Sequence, residues 1–391
     1  MHEPRRKTSV AFLGCRRSNW LGNRKWRAVI AVLTVREIFD LVRDDLALVE
    51  REIAAQTGEA IRPIAEIGGY LREGGGKRLR PALLLLAAGA CGYQGAGAVS
   101  LGAVVEMIHS ATLVHDDVID GANTRRGRPS ANARWGNHMS VLAGDWLYMQ
   151  SFKIALRERN FVILDILIGL TQNMVEGELL QLTCLDCIDL TESEAADLSY
   201  RKTACLFSGC AELGAVLAGA SDSTRRALAE YGLQAGLAFQ LVDDLLDFTA
   251  SSEKLGKPVL SDLKEGKVTL PLIFALQNGI QNAALQAAAG QSGSPHNGGN
   301  SEVRHEAHHD ARDGRAAGRE LVATVLREKG FQSVCPEQIT SLVRDSGALE
   351  HSRRLAVDYA TRAKACLSVL RDSEFRRALL AVPDFILDRE S

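Results

Sequence analysis

Two acidic runs with the same spacing interrupt long apolar stretches of this chain. Each follows the pattern DDxxD, and together they comprise Asp116, Asp117, Asp120, Asp243, Asp244 and Asp247. Residues three and four apart lie on one face of a helix, so each run presents carboxylates on one side while its Val, Ile and Leu neighbours point elsewhere. Like charges this close repel, and burying them without compensation is strongly destabilising. Each acidic face therefore requires a cation.

The sequence around the runs argues against exposed helices. A single DDxxD in a soluble protein is usually a solvated helix face. Here AVVEMIHSATLV precedes the first run and YGLQAGLAFQLV precedes the second, which is typical of buried helices. A hard divalent cation such as Mg²⁺ is commonly held by one or two carboxylates together with substrate phosphates. Two such faces predict a diphosphate held between metal ions.

Helical periodicity continues along almost the whole chain. From about residue 35 to residue 278, apolar side chains recur at helical spacing. In this range prolines are few and alternating β-branched runs are almost absent. The pattern resumes at GRELVATVLREKG and continues to the C-terminal end. We therefore predict an all-α fold, with a single helical domain at 35–391 that contains a flexible insertion at about 290–318. Residues 1–34 are basic and lack the apolar core of a signal peptide, so we predict a disordered extension, with a targeting or lipid-contacting tail as the alternative.

Composition excludes several classes of function. The net charge of −2, without a basic stripe that contains aromatic residues, argues against nucleic-acid binding. The longest apolar runs, such as PALLLLAAGA at 81–90, are shorter than the roughly 18–20 residues that span a bilayer. Several of the eight cysteines stand in apolar helical sequence, as free cysteines do in a reducing compartment. We expect a soluble, cytoplasmic protein with at most peripheral membrane contact.

Two further motifs could in principle bind a metal. Cys184 and Cys187 form a CxxC pair, but no second CxxC or histidine pair stands at the spacing of a zinc site. His305, His308 and His309 fall in the predicted insertion without a supporting fold. We assign neither group a function.

Cationic and polar residues flank both acidic runs. EGGGKRLRP places Lys77, Arg78 and Arg80 behind a glycine run that lets the backbone approach an anion, at the start of an apolar helix. His109 lies two turns before Asp116 on the same helix face. The remaining candidates are Arg125, Arg126, Lys202, Thr203, Gln240, Lys257 and Lys267. Singly, each is an ordinary surface or core residue, but their positions beside the acidic runs predict one anion-binding cavity.

Together these motifs closely resemble the trans-type isoprenyl diphosphate synthases, also called polyprenyl synthetases. GGGKRLRP, HSATLVHDDVIDGANTRRGRPS, GELLQL, RKTA, FQLVDDLLDF and LGKPVLSDLKEGKVTLP occur in the order and at the approximate spacing of that family. The similarity covers about 35–391, apart from the insertion. One departure lies in LGKPVLSDLKEGK, where many members have glycine near Leu260.

The resemblance implies a bundle of antiparallel helices around a deep central cavity, with the two aspartate runs facing each other at its mouth. Three Mg²⁺ ions on an allylic diphosphate would be bound by Asp116, Asp117, Asp120, Asp243 and Asp244, with Asp247 beside them. Their positive partners would be Arg125, Lys202 and Lys257. Isopentenyl diphosphate would be held by Lys77, Arg80, His109 and Arg126. The oxygens of Thr203 and Gln240 would face the allylic carbocation, and the protein would be a homodimer.

Product length should depend on what blocks the cavity behind the first run. Ala111 and Thr112, five and four residues before it, are small where short-chain members tend to carry Phe or Tyr. We therefore predict an open tunnel and a long product of about six to ten isoprene units, as in a quinone side chain. Ile108 and Met107 continue this face as candidate walls, although core packing also explains apolar residues there.

Other functions remain as alternatives. A short-chain farnesyl or geranylgeranyl diphosphate synthase has the same motifs, and a non-catalytic partner subunit of a heteromeric synthase has the same fold but should lack the metal aspartates. A phosphohydrolase built on His115 and Asp116 would need further histidine ligands. A terpene cyclase or head-to-head synthase would not need the elements that bind isopentenyl diphosphate.

Overall fold

Helix-forming periodicity is realised throughout the described chain. The computed structural model describes residues 34–249, 259–278 and 302–390. Its α-helices are α1 Val35–Asp40, α2 Arg43–Gly58, α3 Arg62–Glu73, α4 Leu79–Ala90, α5 Gly97–Ile119, α6 Ala131–Trp135, α7 Asn137–Ala155, α8 Phe161–Thr183, α9 Glu192–Ser199, α10 Cys205–Leu217, α11 Asp222–Thr249, α12 Ser261–Lys264, α13 Leu270–Asn278, α14 Glu302–Glu328, α15 Pro336–Asp345, α16 Ala348–Cys366 and α17 Glu374–Leu387. Short 3₁₀ turns occur at Leu156–Glu158, Leu367–Val369 and Asp388–Glu390, and one π-helical turn at Tyr200–Ala204. The predicted all-α class is confirmed.

Side-chain caps explain where several helices begin. At α1 the Thr34 side chain accepts from the Glu37 N–H while the Glu37 carboxylate accepts from the Thr34 N–H, which is a reciprocal capping box. Thr191 and Glu194 begin α9 in the same way. The Asn160 side chain caps α8. Each cap satisfies helix N–H groups that would otherwise lack a partner.

Helices α5 and α11 are central to the packing. Helix α5 packs against α2, α4 and α7, and α11 packs against α10 and α16. Because α4 also packs on α10, one continuous apolar core joins the two halves, within a compact unit at Leu33–Ser391. The first aspartate run ends α5 and the second lies near the end of α11, so each acidic face is held by a helix anchored in the core.

A small hairpin follows α5. Strand β1 Thr124–Arg125 pairs antiparallel with β2 Arg128–Pro129. The connecting residues Arg126 and Gly127 have φ of 53° and 74°, and positive φ at both central positions is typical of a type I′ turn. The hairpin returns Arg125 to the end of α5.

Helix α5 is long and apolar enough to cross a membrane by length and composition, but 67% of its most apolar window is buried inside the protein. Our expectation that no apolar stretch reaches this length does not hold for α5, because it considered only uninterrupted runs and α5 contains Glu106 and His109. A core helix of a soluble protein passes the same test.

Part of the predicted insertion is helical. Residues 302–318 form the first part of α14, and the flexibility of the insertion stays a prediction. Its Ala, Arg and Glu residues favour helix even without an apolar stripe. Residues 279–301, residues 1–33 and Lys257 lie outside the described part of the chain.

Candidate active site

The first aspartate run lies at the end of α5, where its carboxylates have different partners. Asp117 is 2% exposed and accepts from Arg125 Nε at 2.7 Å. Asp120 accepts from Lys267 Nζ at 3.2 Å. Burial, reinforced by a neighbouring carboxylate, raises the pKa of Asp116 to about 7. Asp117 thus faces the hairpin, whereas Asp116 and Asp120, four residues apart, share the other face.

Next to Asp117, cationic side chains line a cavity. Its polar lining includes Arg78, Glu106, His109, Arg125, Arg126 and Arg128. From the hairpin turn, Arg126 Nη1 donates to the backbone carbonyl of Gly75. A Cβ atom at Gly76 would lie 3.0 Å from Arg126 Nη1, so a glycine allows the guanidinium to approach the backbone. The hairpin and the glycine run together form a cationic recess.

Arg80 and His109 form a polar pair beside this recess. Arg80 Nη1 lies 3.1 Å from His109 Nε2, and its guanidinium lies 5.2 Å from the ring centroid of Phe207. Burial and the Arg80 charge lower the pKa of His109 well below its usual value, so Nε2 of the neutral ring accepts from Arg80. Arg80 Nε is buried and has no hydrogen-bond partner among the described residues. An anion bound here would satisfy it.

Arg78 has a different environment from Arg80. It forms ion pairs with Glu50 and with Glu106, the latter at 2.6 Å. Glu106 is only 6% exposed. The charge of Arg78 is therefore compensated within the protein, which favours Arg80 and Arg126 as the anion-binding cations.

Lys202 and Thr203 come from the π-helical turn between α9 and α10. Single π turns are frequent at functional sites, because they turn neighbouring side chains to one side. Lys202 Nζ lies 2.7 Å from Glu178 Oε1, and the charge of Glu178 contributes to the raised pKa of Asp116. Lys202 in turn stabilises ionised Asp116. These three groups connect α5, α8 and the π turn.

A chain of hydrogen bonds runs from Thr203 to the second aspartate run. Thr203 Oγ1 donates to Gln240 Oε1 at 2.6 Å, and Gln240 Nε2 donates to Asp244 Oδ1 at 2.8 Å. Burial raises the pKa of Asp244 to about 8. The same run places Asp243 Oδ1 2.7 Å from Arg389 Nη2 near the C-terminal end. The structure therefore orients Asp244 into the site through a side-chain amide.

Asp247 has the contacts of a loop anchor. Its side chain is 1% exposed, and Oδ1 accepts from the Ser261 N–H at 3.2 Å and from the Ser261 hydroxyl at 3.0 Å. Oδ2 accepts from the Asp262 N–H at 3.3 Å. Both oxygens thus hold the start of α12. Asp247 thus has a structural role, and metal binding by it stays a prediction from the sequence.

Lys267 links the first acidic helix to the loop that follows the second. It contacts Asp120 and, at 2.7 Å, Glu265, and these charges raise the pKa of Lys267 against the opposing effect of burial. A cavity of about 170 Å³ is lined by Lys202, Gln240, Asp244, Asp262 and Lys267. Asp244 of the second run lines this cavity, and Lys267, which also lines it, contacts Asp120 of the first run.

The donor set fits a divalent cation. Asp116 and Asp244 are carboxylates whose pKa is raised chiefly by burial, and a cation beside them would stabilise their charged forms. Among the described residues no three His, Cys, Asp or Glu side chains form a closed cluster of ligands. An ion held by one or two carboxylates and substrate phosphates does not require such a cluster.

Behind the first run lies an apolar cavity of about 330 Å³. It begins at Asp116, and its lining includes Thr112, Tyr148, Met174, Val175, Leu179 and Leu182. Of the predicted chain-length residues, Thr112 lines this cavity. Ala111, Ile108 and Met107 pack in the core with at most 1% exposure.

Several site residues were missed by sequence reasoning. Glu178 stands in the GELLQL motif, so its motif could have indicated it. Tyr148 lies in the stretch VLAGDWLYMQ, where apolar periodicity alone does not distinguish cavity from core. Arg389 reaches Asp243 from the far end of the chain, and no motif marks it. Lys77, in contrast, lies near this C-terminal segment, 5.5 Å from the ring centroid of Phe385, and not on the cavity that contains His109.

This arrangement defines a class, namely all-α enzymes that bind a diphosphate between acidic helices with a divalent metal ion. The chain belongs to the polyprenyl synthetase family, whose model matches residues 61–300. It is 35% identical to the octaprenyl diphosphate synthase of Escherichia coli, over 92% of this chain and 100% of that protein. It is 34% identical to the all-trans-nonaprenyl-diphosphate synthase (geranyl-diphosphate specific) of Rhodobacter capsulatus, over 90% of this chain and 98% of that protein.

A solved structure is also similar. The polyprenyl synthase of Caulobacter crescentus, crystallised with calcium and isoprenyl diphosphate, superimposes with a TM-score of 0.78 at 33% identity, over 92% of this chain and 99% of that chain. The predicted family, fold and prenyltransferase class are therefore confirmed. Binding of a divalent metal and of isoprenyl diphosphates follows from the family.

Proposed function

We propose that this protein is a long-chain trans-polyprenyl diphosphate synthase, which adds isopentenyl diphosphate head to tail to an allylic diphosphate. The observation that carries the proposal is the placement of Lys202 and Lys267, which line a polar cavity together with Asp244, while the Lys202 charge acts on Asp116 and Lys267 contacts Asp120. A separate cationic recess and an apolar cavity also border the first run. Two substrates and a growing product need these three spaces. Relatives named for eight-unit and nine-unit products support the long-chain assignment.

The allylic diphosphate would bind between the runs. Asp116, Asp120 and Asp244 would hold Mg²⁺ on it, with three ions in all, and these ions would stabilise the charge of the departing diphosphate. Lys202 and Lys267 would add fixed positive charge at the same oxygens. Since these side chains are already ordered by their carboxylate partners, little reorganisation is needed when charge develops.

Isopentenyl diphosphate would occupy the cationic recess. Arg126 and the unsatisfied Nε of Arg80 would bind its diphosphate, and the neutral His109 ring would hold Arg80 in place. Arg125, paired with Asp117, stands between the recess and the first run. The two diphosphates would thus lie on opposite sides of Asp117, with the carbon chains directed toward each other.

The reaction then follows from this placement. The allylic C–O bond breaks and its electron pair leaves with the diphosphate. The double bond of isopentenyl diphosphate attacks the allylic carbon, and the released diphosphate accepts the proton that restores a double bond. The oxygens of Thr203 and Gln240 would face the cation, and their hydrogen bond keeps them at fixed positions.

The growing chain would enter the apolar cavity behind Asp116. The small Thr112 lines this cavity together with Tyr148 and Met174 from two neighbouring helices. Ala111, fully buried beside Thr112, would act through packing. A quinone side chain of about six to ten isoprene units is the proposed product.

A cytoplasmic homodimer is the proposed assembly. Phe161, Ile168, Val175, Leu179 and Leu182 form an exposed apolar stripe with spacings of seven, four and three residues along α8. Such a stripe is typical of helix packing on a second helix. Since Val175, Leu179 and Leu182 also line the apolar cavity, a second copy on this face would help to close it. Charged substitutions at Ile168 and Leu179 should shift the sedimentation coefficient to that of a monomer.

One activity assay tests the proposal. Purified protein is incubated with farnesyl diphosphate, radiolabelled isopentenyl diphosphate and Mg²⁺, and label in the extractable prenyl product is counted. We expect incorporation with Mg²⁺ and none with excess chelator. Label that stays in the unreacted diphosphate would refute the assignment. Asp116→Asn and Asp244→Asn serve as inactive controls.

A further inference from the structure

Lys267 stands on a loop whose backbone has little support from regular structure. The described part of this loop, residues 259–269, contains the four-residue helix α12. Asp247 holds the start of this helix, but Gly266 and Lys267 lie beyond it. Their N–H groups donate to the carbonyls of Leu263 and Asp262, which closes the turn, so the position of this turn relative to Asp120 depends on its attachment outside the loop.

Asp186 provides that attachment. Its backbone N–H donates to the carbonyl of Gly266 at 2.9 Å. Gly266 has φ of 86°, and a Cβ atom there would lie 2.5 Å from Asp186 Oδ1. The Asp186 carboxylate is therefore in direct contact with the backbone of the residue that precedes Lys267. A side chain at position 266 would displace it.

Lys329 pairs with the Asp186 carboxylate beside Gly266, where its Nζ would lie 3.2 Å from a Cβ atom at position 266. Its Nζ lies 2.5 Å from both Asp186 oxygens, just beyond the end of α14. Asp186 and Lys329 have φ of 62° and 50°, so both adopt the left-handed conformation that side chains disfavour. Such conformations persist where the surrounding contacts determine them and are frequent at functional sites. Two residues after Lys329, the Phe331 ring contacts Lys264 of the loop that carries Lys267, with Lys264 Nζ 5.2 Å from the ring centroid.

We propose that Asp186, held by Lys329, is a positioning residue that fixes Gly266 and so places Lys267 against the allylic diphosphate. The inference rests on the proposed function. It also gives a role to the stretch between Cys184 and Cys187, since these cysteines border Asp186 in a turn closed by the Cys187 N–H and the Cys184 carbonyl at 3.3 Å.

A neighbouring ion pair offers a matched control. Asp189 pairs with Arg319 at 2.5 Å and so joins the same turn to the same helix α14. No contact links it to Gly266. Asp189→Asn therefore removes one tie between the two elements and leaves the support of Lys267 intact.

The test compares steady-state kinetics of Asp186→Asn and Asp189→Asn with the wild type. Asparagine tolerates the left-handed conformation, so the backbone of the turn is kept. Because the Asp186–Lys329 pair is half-exposed, we expect the KM for farnesyl diphosphate to rise about threefold to fivefold, on the scale of surface ion pairs. The KM for isopentenyl diphosphate and the melting temperature should stay at wild-type values in both variants. Asp189→Asn should match the wild type in every quantity.

Two further variants strengthen the comparison. Lys329→Met should raise the KM for farnesyl diphosphate as Asp186→Asn does, and the double variant should add little, because both remove one interaction. Gly266→Ala should cause a larger rise, and combining it with Asp186→Gly should reverse part of it by removing the clash.

Unchanged KM in Asp186→Asn would overturn the inference, and so would equal changes in Asp186→Asn and Asp189→Asn. A rise of the same size in both substrate KM values would also overturn it, because that indicates general loosening. These results do not bear on the proposed function, which is tested by the wild type alone and is refuted if the wild type does not elongate farnesyl diphosphate.

Discussion

Replacing Asp244 or Asp247 by asparagine should have opposite effects on stability, although the two stand three residues apart in one motif. At Asp247 the change removes a charged acceptor. The Asn oxygen can keep both bonds from Ser261, but the amide nitrogen then faces the Asp262 N–H, which loses its acceptor. The loss of one hydrogen bond to a buried charged group is about 1.5–3 kcal/mol of unfolding free energy.

At Asp244 the same substitution removes an unfavourable charge. Its pKa is about 8, so at pH 9 most of this buried carboxyl is ionised in the folded protein without a bound cation. One unit of pKa shift corresponds to about 1.36 kcal/mol, so a neutral amide should raise the unfolding free energy by more than about 1 kcal/mol. The Asn oxygen still accepts from Gln240 Nε2.

Thermal unfolding followed by circular dichroism, in chelator at pH 9, measures both effects. We expect Asp247→Asn to lower the melting temperature by about 2–6 °C and Asp244→Asn to raise it. Addition of Mg²⁺ and pyrophosphate should then stabilise wild type and Asp247→Asn by the same increment, and Asp244→Asn by much less. If Asp247→Asn keeps its basal melting temperature and loses the increment, Asp247 is a metal ligand and the reasoning is refuted.

Three further predictions concern protonation, product length and the second substrate. In the folded protein the pKa values of Asp116 and Asp244 are about 7 and about 8, above the usual value of 3.8. Their protonated forms therefore contribute stability that is complete below pH 3.8 and is lost as the pH rises through 7–8. The melting temperature in chelator should fall from pH 6 to pH 9, and a flat profile would contradict this. Thr112→Phe should block the apolar cavity and shorten the products seen by mass spectrometry. Ala111→Phe should also shorten the products, and it should lower the free energy of unfolding by about 1–3 kcal/mol because Ala111 is fully buried. If the product distribution is unchanged in both variants, these residues do not line the tunnel. Arg80→Met should raise the KM for isopentenyl diphosphate about tenfold or more and leave that for farnesyl diphosphate near the wild-type value; the reverse pattern would show that Arg80 serves the allylic site.

Apolar periodicity was sufficient to predict the all-α fold, because most helices are stabilised by burial of an apolar face. Spacing within one helix was equally informative for the first acidic run. Since residues four apart must share a face, Asp116 and Asp120 could be grouped from sequence. Contacts between segments that are distant in the sequence could not be predicted in this way. Asp247 meets Ser261, and Asp243 meets Arg389, only after the chain has folded back.

The structure explains how Leu260 is tolerated at a place where the sequence departs from the family pattern. Leu260 stands near the position where many members have glycine, and it adopts φ of 55° at the start of α12. The left-handed conformation costs a non-glycine residue about 1–2 kcal/mol. The side chain is fully buried, and burial of a leucine contributes about 1.5–3 kcal/mol, which offsets the strain. Sequence identified the position but not this compensation.

Charge placement at the site was predicted only in part. The glycine run and the arginine pair indicated an anion site, yet only the structure distinguishes Arg78, neutralised by Glu50 and Glu106, from Arg80, whose Nε lacks a partner. In the same way, the two small residues before the first run predicted an open tunnel, and the structure places only Thr112 on the cavity.

The chain length of the product tests the central claim most directly. Wild-type protein is incubated with farnesyl diphosphate, excess isopentenyl diphosphate and Mg²⁺, and the dephosphorylated products are sized by mass spectrometry. An all-trans product with about six to ten isoprene units is predicted, because the cavity behind Asp116 is apolar and is lined by the small Thr112. Products that stop after one added unit, or the absence of any elongated product, would contradict the account.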